Sequence, residues 1–391
     1  MNQPRRVLYV SGTRADFGLM QRTLSAIAAD PRLELGIAVT GMHLLAAYGH
    51  TVSEIEGAGL PIVARIPVAL DGSDGAAMAR ALATQVEGLV EVCEQWSPDL
   101  MLVLGDRGEM LAAALAAVHL GIPVAHVHGG ERSGTVDESV RHAISKLAHL
   151  HLVATQQSRQ RLIRMGERPQ SIWVTGAPGL DGLAEQSGGP EVRRAVCRRH
   201  GFDVESPLLL VLFHPVLQEA GSASEQAEAV LEGIASWAAA QPTQPPPQLL
   251  VLAPNSDAGG AAIRSVWEER LPALGLPHRL LTHLPRTDYL ATLAAVDALV
   301  GNSSSGIIEA ASFCLPVVDV GSRQKARERS ANVINAPAEA RAIAEALRLA
   351  LRPSLNPVVN VYGDGQATGR ICEILASEPL PTELLAKLNT F

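Results

Sequence analysis

The chain reads as an α/β protein with two doubly wound, parallel-sheet domains. Three observations predict this. Short runs of Val, Ile and Leu recur along the 391 residues, with longer amphipathic stretches between them. Those runs are almost wholly apolar, as strands covered by helices on both faces must be. The alternation breaks over 181–190, where Gly182, Gly188, Gly189 and Pro190 cluster, and then restarts. One ordinary core does not serve a chain this long, so domains are expected at 1–186 and 187–360, followed by 361–391.

In the first half, strands are expected at 6–10, 34–39, 60–66, 100–104, 123–127 and 150–154, each a short apolar or β-branched run. Helical spacing fills the intervals at 17–29, 76–95, 109–120, 139–148 and 156–165. After the break a basic helix is expected over 191–200. Strands follow at 208–213, 249–253, 279–282, 298–301 and 317–320, with helices at 224–240, 261–270 and 287–295. The run QPTQPPPQ (241–248) is a polar connection within a domain, because strand–helix alternation continues on both sides. Helices at 338–351 and 367–376 close the pattern.

Composition excludes several classes of function. Hydrophobic residues make up 47% and charged residues 18%, which is globular, and the net charge of −8 supplies no field for a polyanion. Aromatics at 3% are too few for nucleic-acid stacking platforms. Cys93, Cys197, Cys314 and Cys372 form no CxxC pair, which argues against a zinc site and for a reducing cytoplasm. The N-terminal residues pass directly into a strand, and no apolar run is long enough to span a bilayer.

Open parallel sheets bind ligands beyond the carboxyl ends of their strands, and the unusual polar residues fall there. Ser11-Gly12-Thr13-Arg14-Ala15-Asp16 follows the first strand; a glycine turn, a helix start and Arg14 suit a phosphate, or else form a plain helix entry. Gly105-Asp106-Arg107 follows the fourth strand, and His126-Val127-His128-Gly129-Gly130-Glu131 the fifth. The bland alternative is an Asp106–Arg107 ion pair and a capped helix. With Asp137, three carboxylates would converge on one sheet edge, where repulsion raises at least one pKa. His126 and His128, two apart on a strand, would share a face. Without a third ligand they make no metal site, so no cofactor is required and a divalent cation is not indicated.

In the second half a strand ends at His214, facing a presumed interdomain cleft, and Pro254-Asn255-Ser256-Asp257-Ala258-Gly259 is rich in hydrogen-bonding groups. Gly301-Asn302-Ser303-Ser304-Ser305-Gly306 is the best phosphate signal: three serines exceed what one helix cap requires, and Glu309 sits one turn on, placed to accept from a ribose diol.

Taken together, these motifs resemble the hydrolysing UDP-N-acetylglucosamine 2-epimerases. The matching stretches are SGTRADFGLM (11–20), VTGMHLLAAYG (39–49), VLGDRGEM (103–110), HVHGGE (126–131), DESVRHAISKLAHLH (137–151), GAPGLD (176–181), FHP (213–215), NSDAG (255–259), GNSSSGIIEA (301–310) and SRQKARER (322–329), all in the family's order. The resemblance implies a GT-B-type pair of Rossmann-like domains, with UDP held by the second, the sugar facing the first, and the last helices returning to the first. It implies Asp106, Glu131 and Asp137 as catalytic carboxylates, with His43 as an active-site histidine and His214 at a nucleotide-contacting position, the two histidines supporting the sugar and diphosphate. Substrate-binding positions by the same matching are Arg14, Arg107, Asn255, Ser303, Ser304, Glu309 and Arg323; His128 is counted with them. The resemblance also implies a UDP-sugar substrate and a homo-oligomer, expected as a homodimer or homotetramer, while composition points to neither a nucleic-acid nor a membrane partner.

The implied chemistry removes UDP from C1 and a proton from C2, passes through a 2-acetamidoglycal, and adds water to give a free manno-configured sugar. Val216-Leu217, Ala326 and Gly108 depart from the family pattern, and Gly108 leaves open whether the sugar is GlcNAc or a 2,4-diacetamido-2,4,6-trideoxyglucose. A non-hydrolysing 2-epimerase, a GT-B glycosyltransferase and a UDP-sugar-binding regulator are the competing readings.

Overall fold

Two sheets form, and every strand pair in them is parallel. The computed structural model describes residues 3–46, 49–69, 75–133, 136–183, 185, 189–241, 245–254, 259–352, 358–380 and 385–390. It separates into two compact units, Met1–Asp181 with Tyr362–Phe391, and Gly182–Val361.

The first unit holds strands β1 (Arg5–Ser11), β2 (Leu33–Thr40), β3 (Ile62–Ile66), β4 (Leu100–Leu104), β5 (Val124–Val127), β6 (Leu150–Val153) and β7 (Ile172–Val174). Their spatial order is β3-β2-β1-β4-β5-β6-β7. Its helices are α1 (Arg14–Ala29), α2 (Val52–Gly57), α3 (Gly75–Trp96), α4 (Gly108–His119), α5 (Val136–Leu147) and α6 (Gln156–Arg164). Val7, Tyr9, Leu102 and Val127 pack one face of the sheet against Phe17, Leu24 and Ile27 of α1. Leu8, Val10, Met101 and Val103 pack the other against α3 and α4, where Leu89 and the alanines 112–114 are buried. A fully buried Val, Leu or Ile contributes roughly 1.5–3 kcal/mol, so these two layers carry the stability of the sheet.

The second unit holds α7 (Pro190–His200), β8 (Leu208–Leu212), α8 (Ala223–Ala239), β9 (Gln248–Leu252), α9 (Gly260–Arg270), β10 (His278–Leu281), α10 (Arg286–Ala295), β11 (Ala298–Gly301), α11 (Ser304–Ile308), β12 (Val317–Val320), β13 (Val333–Ala336) and α12 (Ala340–Ala350). Its order, β10-β9-β8-β11-β12-β13, repeats the logic of the first sheet. In both, the strand order reverses once, at β1/β4 and at β8/β11. That reversal opens a crevice at the carboxyl ends of the two strands, where ligands bind in folds of this kind.

Three differences from the sequence reading have physical causes. β7 and β13 were not expected; both are short edge strands, and β13 contains Asn335. The third strand starts at Ile62 because Pro61 has no N–H to give and offers only its carbonyl, to Ile37. α1 starts at Arg14, three residues early, because Thr13 and Asp16 form a capping box.

The last helix, α13 (Ala367–Ser377), belongs to the first unit. Asp181 accepts from the backbone N–H of Ala367 (3.0 Å) and Thr368 (2.5 Å), satisfying its first turn. Ile371 and Leu375 are buried against α1, where Thr23 and Thr368 share a hydrogen bond of 2.9 Å. No helix among the described residues is long and apolar enough to cross a membrane.

Candidate active site

At the β1/β4 switch point the loop after β4 carries Asp106 and Arg107, which do not pair with each other. Asp106 forms an ion pair with Arg141 of α5, whose side chain is only 2% exposed. Oδ2 of Asp106 takes that bond, and Oδ1 accepts none from a described residue. Arg107 turns instead to Glu109, with contacts of 3.2 and 3.3 Å. Glu109 is buried, and its side chain lies where a Cβ on Gly12 would sit, 2.6 Å from its Cγ; only glycine allows that approach.

Arg141 gathers more than Asp106. Its Nη1 donates to the backbone oxygen of Glu131 at 3.1 Å. The Glu131 carboxylate is buried and receives His128 Nδ1 at 2.5 Å. Asp137 lies one turn before Arg141 in the first turn of α5 and is exposed. Arg141 thus ties the Asp106 carboxylate and the Glu131 backbone to α5, the helix that also carries Asp137. Asp106 and Glu131 each have a cationic or titratable partner.

The two histidines of the fifth strand part company. β5 ends at Val127, and His128 takes φ +63°, so the two-residue repeat that would place both on one face stops before it. His126 is fully buried, between Ser145 Oγ (3.1 Å) and the carbonyl of Gly105 (2.7 Å), and burial pushes its pKa down to about 3. It is a structural histidine that fixes the loop carrying Asp106. No group of three or more His, Cys, Asp or Glu among the described residues is placed to hold a metal.

His43 lies at the end of β2, buried, with Nε2 3.0 Å from Ser11 Oγ and Nδ1 2.8 Å from Thr51 Oγ1. Ser11 in turn donates to Asp16 at 2.6 Å, and Asp16 also accepts from the backbone N–H groups of Gly12 (3.1 Å) and Thr13 (2.6 Å). Burial lowers the His43 pKa, opposed by the Asp16 charge. Arg14, expected at a phosphate, meets Glu54 at 2.7 Å.

At the β8/β11 switch point of the second unit the materials change. His214 and Asn302 form a reciprocal pair: the His214 N–H donates to Asn302 Oδ1 (2.7 Å), and Asn302 Nδ2 donates to the His214 carbonyl (2.8 Å). Arg323 Nη1 and Gln324 Nε2 both donate to the Asn302 carbonyl, at 3.1 and 3.0 Å. Burial, with Arg323 nearby, pushes the His214 pKa down to about 3, so its ring is neutral near pH 7. Gly301 permits the turn: at φ +145°, a Cβ there would stand 2.0 Å from the Leu212 carbonyl oxygen.

The serine cluster is more committed than its sequence suggested. Ser303 caps α11 by accepting from Ser305 N–H, and Ser305 Oγ bonds both Ser303 Oγ (3.1 Å) and Tyr289 OH. Ser304 opens the helix, half-buried. Glu309, expected at a ribose, is buried and paired with Arg286. Asn255 lies outside the described residues.

Comparison with known proteins decides what this pair of sites belongs to. Residues 25–376 match the family model described as UDP-N-acetylglucosamine 2-epimerase. The chain belongs to that family. It is 47% identical over 387 residues to the UDP-N,N'-diacetylbacillosamine 2-epimerase (hydrolyzing) of Legionella pneumophila, covering 99% of this chain and 100% of that one. It is 33% identical to the UDP-N-acetylglucosamine 2-epimerase of Neisseria meningitidis over 339 residues, 87% of this chain and 85% of that one. In structure it resembles the UDP-GlcNAc 2-epimerase from Neisseria meningitidis crystallised with UDP-GlcNAc, with a TM-score of 0.77, 18% identity, and coverage of 95% of this chain and 99% of the other. The GT-B-type fold is that of this epimerase family.

Several residues of the candidate site were not singled out from the sequence. Arg141 is one residue of a helix in sequence, and only the fold reveals that it turns inward to Asp106. Glu109 sits at a helix start, and Asn302 reads only as part of the 301–306 phosphate signal. The reciprocal Asn302–His214 bonds join positions 88 residues apart, which no local pattern announces.

Proposed function

We propose that the chain converts UDP-N,N'-diacetylbacillosamine and water to UDP and the free 2-epimeric sugar, 2,4-diacetamido-2,4,6-trideoxymannose. The observation that carries this reading is the gathering of Asp106 and Glu131 by Arg141, with Asp137 on the same helix. The similarity to the hydrolysing Legionella enzyme over the whole chain supports both the reaction and the sugar.

In the mechanism, the second unit holds the UDP. Donors around Asn302, Ser303, Ser304 and Arg323 take the diphosphate, while His214, neutral near pH 7, offers hydrogen bonding and no charge. As the C1–O bond breaks, its electron pair leaves with UDP and the C2–H becomes acidic. Asp106, oriented by Arg141 and with Oδ1 taking no hydrogen bond from a described residue, takes that proton, giving the 2-acetamidoglycal. Glu131 and Asp137 then activate water for addition at C1 and return a proton to the opposite face of C2. In this reading His43 and His128 serve the sugar, Arg14 and Arg107 contact the nucleotide, and Glu309 acts on the ribose through Arg286.

The test is turnover in D2O, followed by NMR of the product. Deuterium at C2 of a free sugar, with equimolar UDP, is the expected result. Product without deuterium removes the proton-abstraction step. Deuterated sugar still attached to UDP instead makes the chain a non-hydrolysing epimerase. Parallel kinetics on UDP-GlcNAc should give a lower kcat/KM than on the diacetamido substrate; the reverse order reassigns the sugar.

A further inference from the structure

Beyond the last turn of α5 lies a buried ionic cluster for which the reaction has no use. Glu167, 2% exposed, accepts from His151 Nε2 at 3.1 Å and from Lys146 Nζ and Lys387 Nζ at 2.7 Å each. Burial alone would raise the Glu167 pKa, but these three donors hold it down at about 2. Lys387 comes from the far segment 385–390. Besides Glu167, its ammonium donates to the carbonyls of Ser145 (3.1 Å), Lys146 (2.8 Å) and Ala148 (2.7 Å). Four oxygens thus surround three N–H bonds. The Ser145 and Lys146 carbonyls are among those that the end of a helix leaves without an intrahelical donor, and a cation there also complements the helix dipole. The segment has two further ties, Thr390 N–H to the Gly166 carbonyl (2.9 Å) and Lys146 Nζ to Asn389 Oδ1 (2.5 Å).

The other end of α5 reaches the reacting groups. Asp137 and Arg141 sit on its first turns, and Arg141 holds Asp106 and the Glu131 backbone. A second path starts from Ser145 itself: its hydroxyl meets His126 Nδ1 (3.1 Å), and His126 Nε2 meets the carbonyl of Gly105, the residue before Asp106. Movement of α5 along its axis would displace Asp106 by both routes.

We propose that the segment 385–390 is a positioning element for the active site, with Lys387 as its working residue: by capping α5 it fixes the helix that aims Asp106 and Glu131. This rests on the reading of the α5 carboxylates as the catalytic set. Lys387 touches no substrate and acts only through α5.

The test uses the full chain as wild type, Lys387→Met and Lys387→Arg. Lys387→Met should lower kcat about tenfold, the scale of a slight misplacement of reacting groups, while KM and UDP affinity change less than about twofold. Lys387→Arg, which keeps a donating cation, should recover most of the loss. Amide exchange should quicken across 144–148 in Lys387→Met and not in the second unit. An unchanged kcat in Lys387→Met overturns the proposal. So does a parallel fall of kcat, UDP affinity and melting temperature without rescue by arginine, which would make Lys387 a general stabiliser. Should the wild type turn over no UDP-sugar, the functional reading fails by itself, and unchanged exchange across 144–148 would still overturn the cap.

Discussion

The two switch points share a topology and differ in their chemistry. Around β1/β4 the groups are titratable and charged: Asp106 on Arg141, Glu131 on His128, Glu109 on Arg107. Around β8/β11 a reciprocal amide–backbone pair, hydroxyls and an uncharged imidazole are joined by the fixed cation of Arg323 and a Glu309–Arg286 pair. Moving a proton needs groups that change charge, each steered by a partner. Holding a leaving group needs fixed donors that keep their state while charge develops on the ligand. The split of labour proposed for the two units follows from that contrast.

The sharpest way to break it is Asp106→Asn. The expected outcome is a kcat about 1,000-fold lower, with UDP affinity by calorimetry unchanged. Loss of UDP binding in that variant would mean that the two functions are not separable. Next in size, Arg141→Met strands Asp106 and the Glu131 carbonyl. It should cost about 3 kcal/mol in denaturant unfolding, toward the low end for a broken buried pair because Asp106 is partly exposed, and take kcat down with it. Unfolding at the wild-type midpoint would show that Arg141 organises nothing.

At the second switch point, Asn302→Ala deletes two hydrogen bonds worth about 1 kcal/mol each and should weaken UDP binding about tenfold at nearly constant kcat. A fall in kcat with unchanged UDP affinity would put Asn302 in the chemistry instead. A further way to test the charged side is a pH dependence. The folded pKa of His126, about 3, lies below its ordinary 6.5, so on acidification the unfolded chain takes up the proton first. Its contribution is intact above 6.5 and is lost as pH falls toward 3, by at most about 1.4 kcal/mol per pH unit. His126→Gln should flatten that acid limb of the unfolding free energy; an unaltered slope would mean that other groups carry it.

Most of the fold was legible in the sequence because buried parallel strands write themselves as short apolar runs. LMLVL at 100–104 and ALVG at 298–301 have the expected bounds. The unexpected edge strands lack that signature: β7 is only the three residues IWV, and β13 is interrupted by Asn335. For the site, the sequence named the loops but not the partners. Asp106 was visible, yet Arg141 is 35 residues away and its inward turn depends on how α5 lies over β4 and β5. The same limit explains the Asp106–Arg107 pairing, which adjacency suggests and the competing attraction of Glu109 prevents. Ser303 and Ser305 looked like surplus donors because the Tyr289 hydroxyl that engages Ser305 comes from another helix.

The first unit is written in two pieces, 1–181 and 362–391, with a whole second unit spelled out in the interval. During synthesis its sheet emerges long before α13. At typical ribosomal speeds the roughly 180 intervening residues take on the order of 10–40 s to arrive. For that time the groove of α1 that receives Ile371 and Leu375 stands open to water, and Asp181 has no helix to cap. The nascent lobe therefore waits half-finished while its neighbour is being made, and a chaperone that covers apolar surface would find it in that interval.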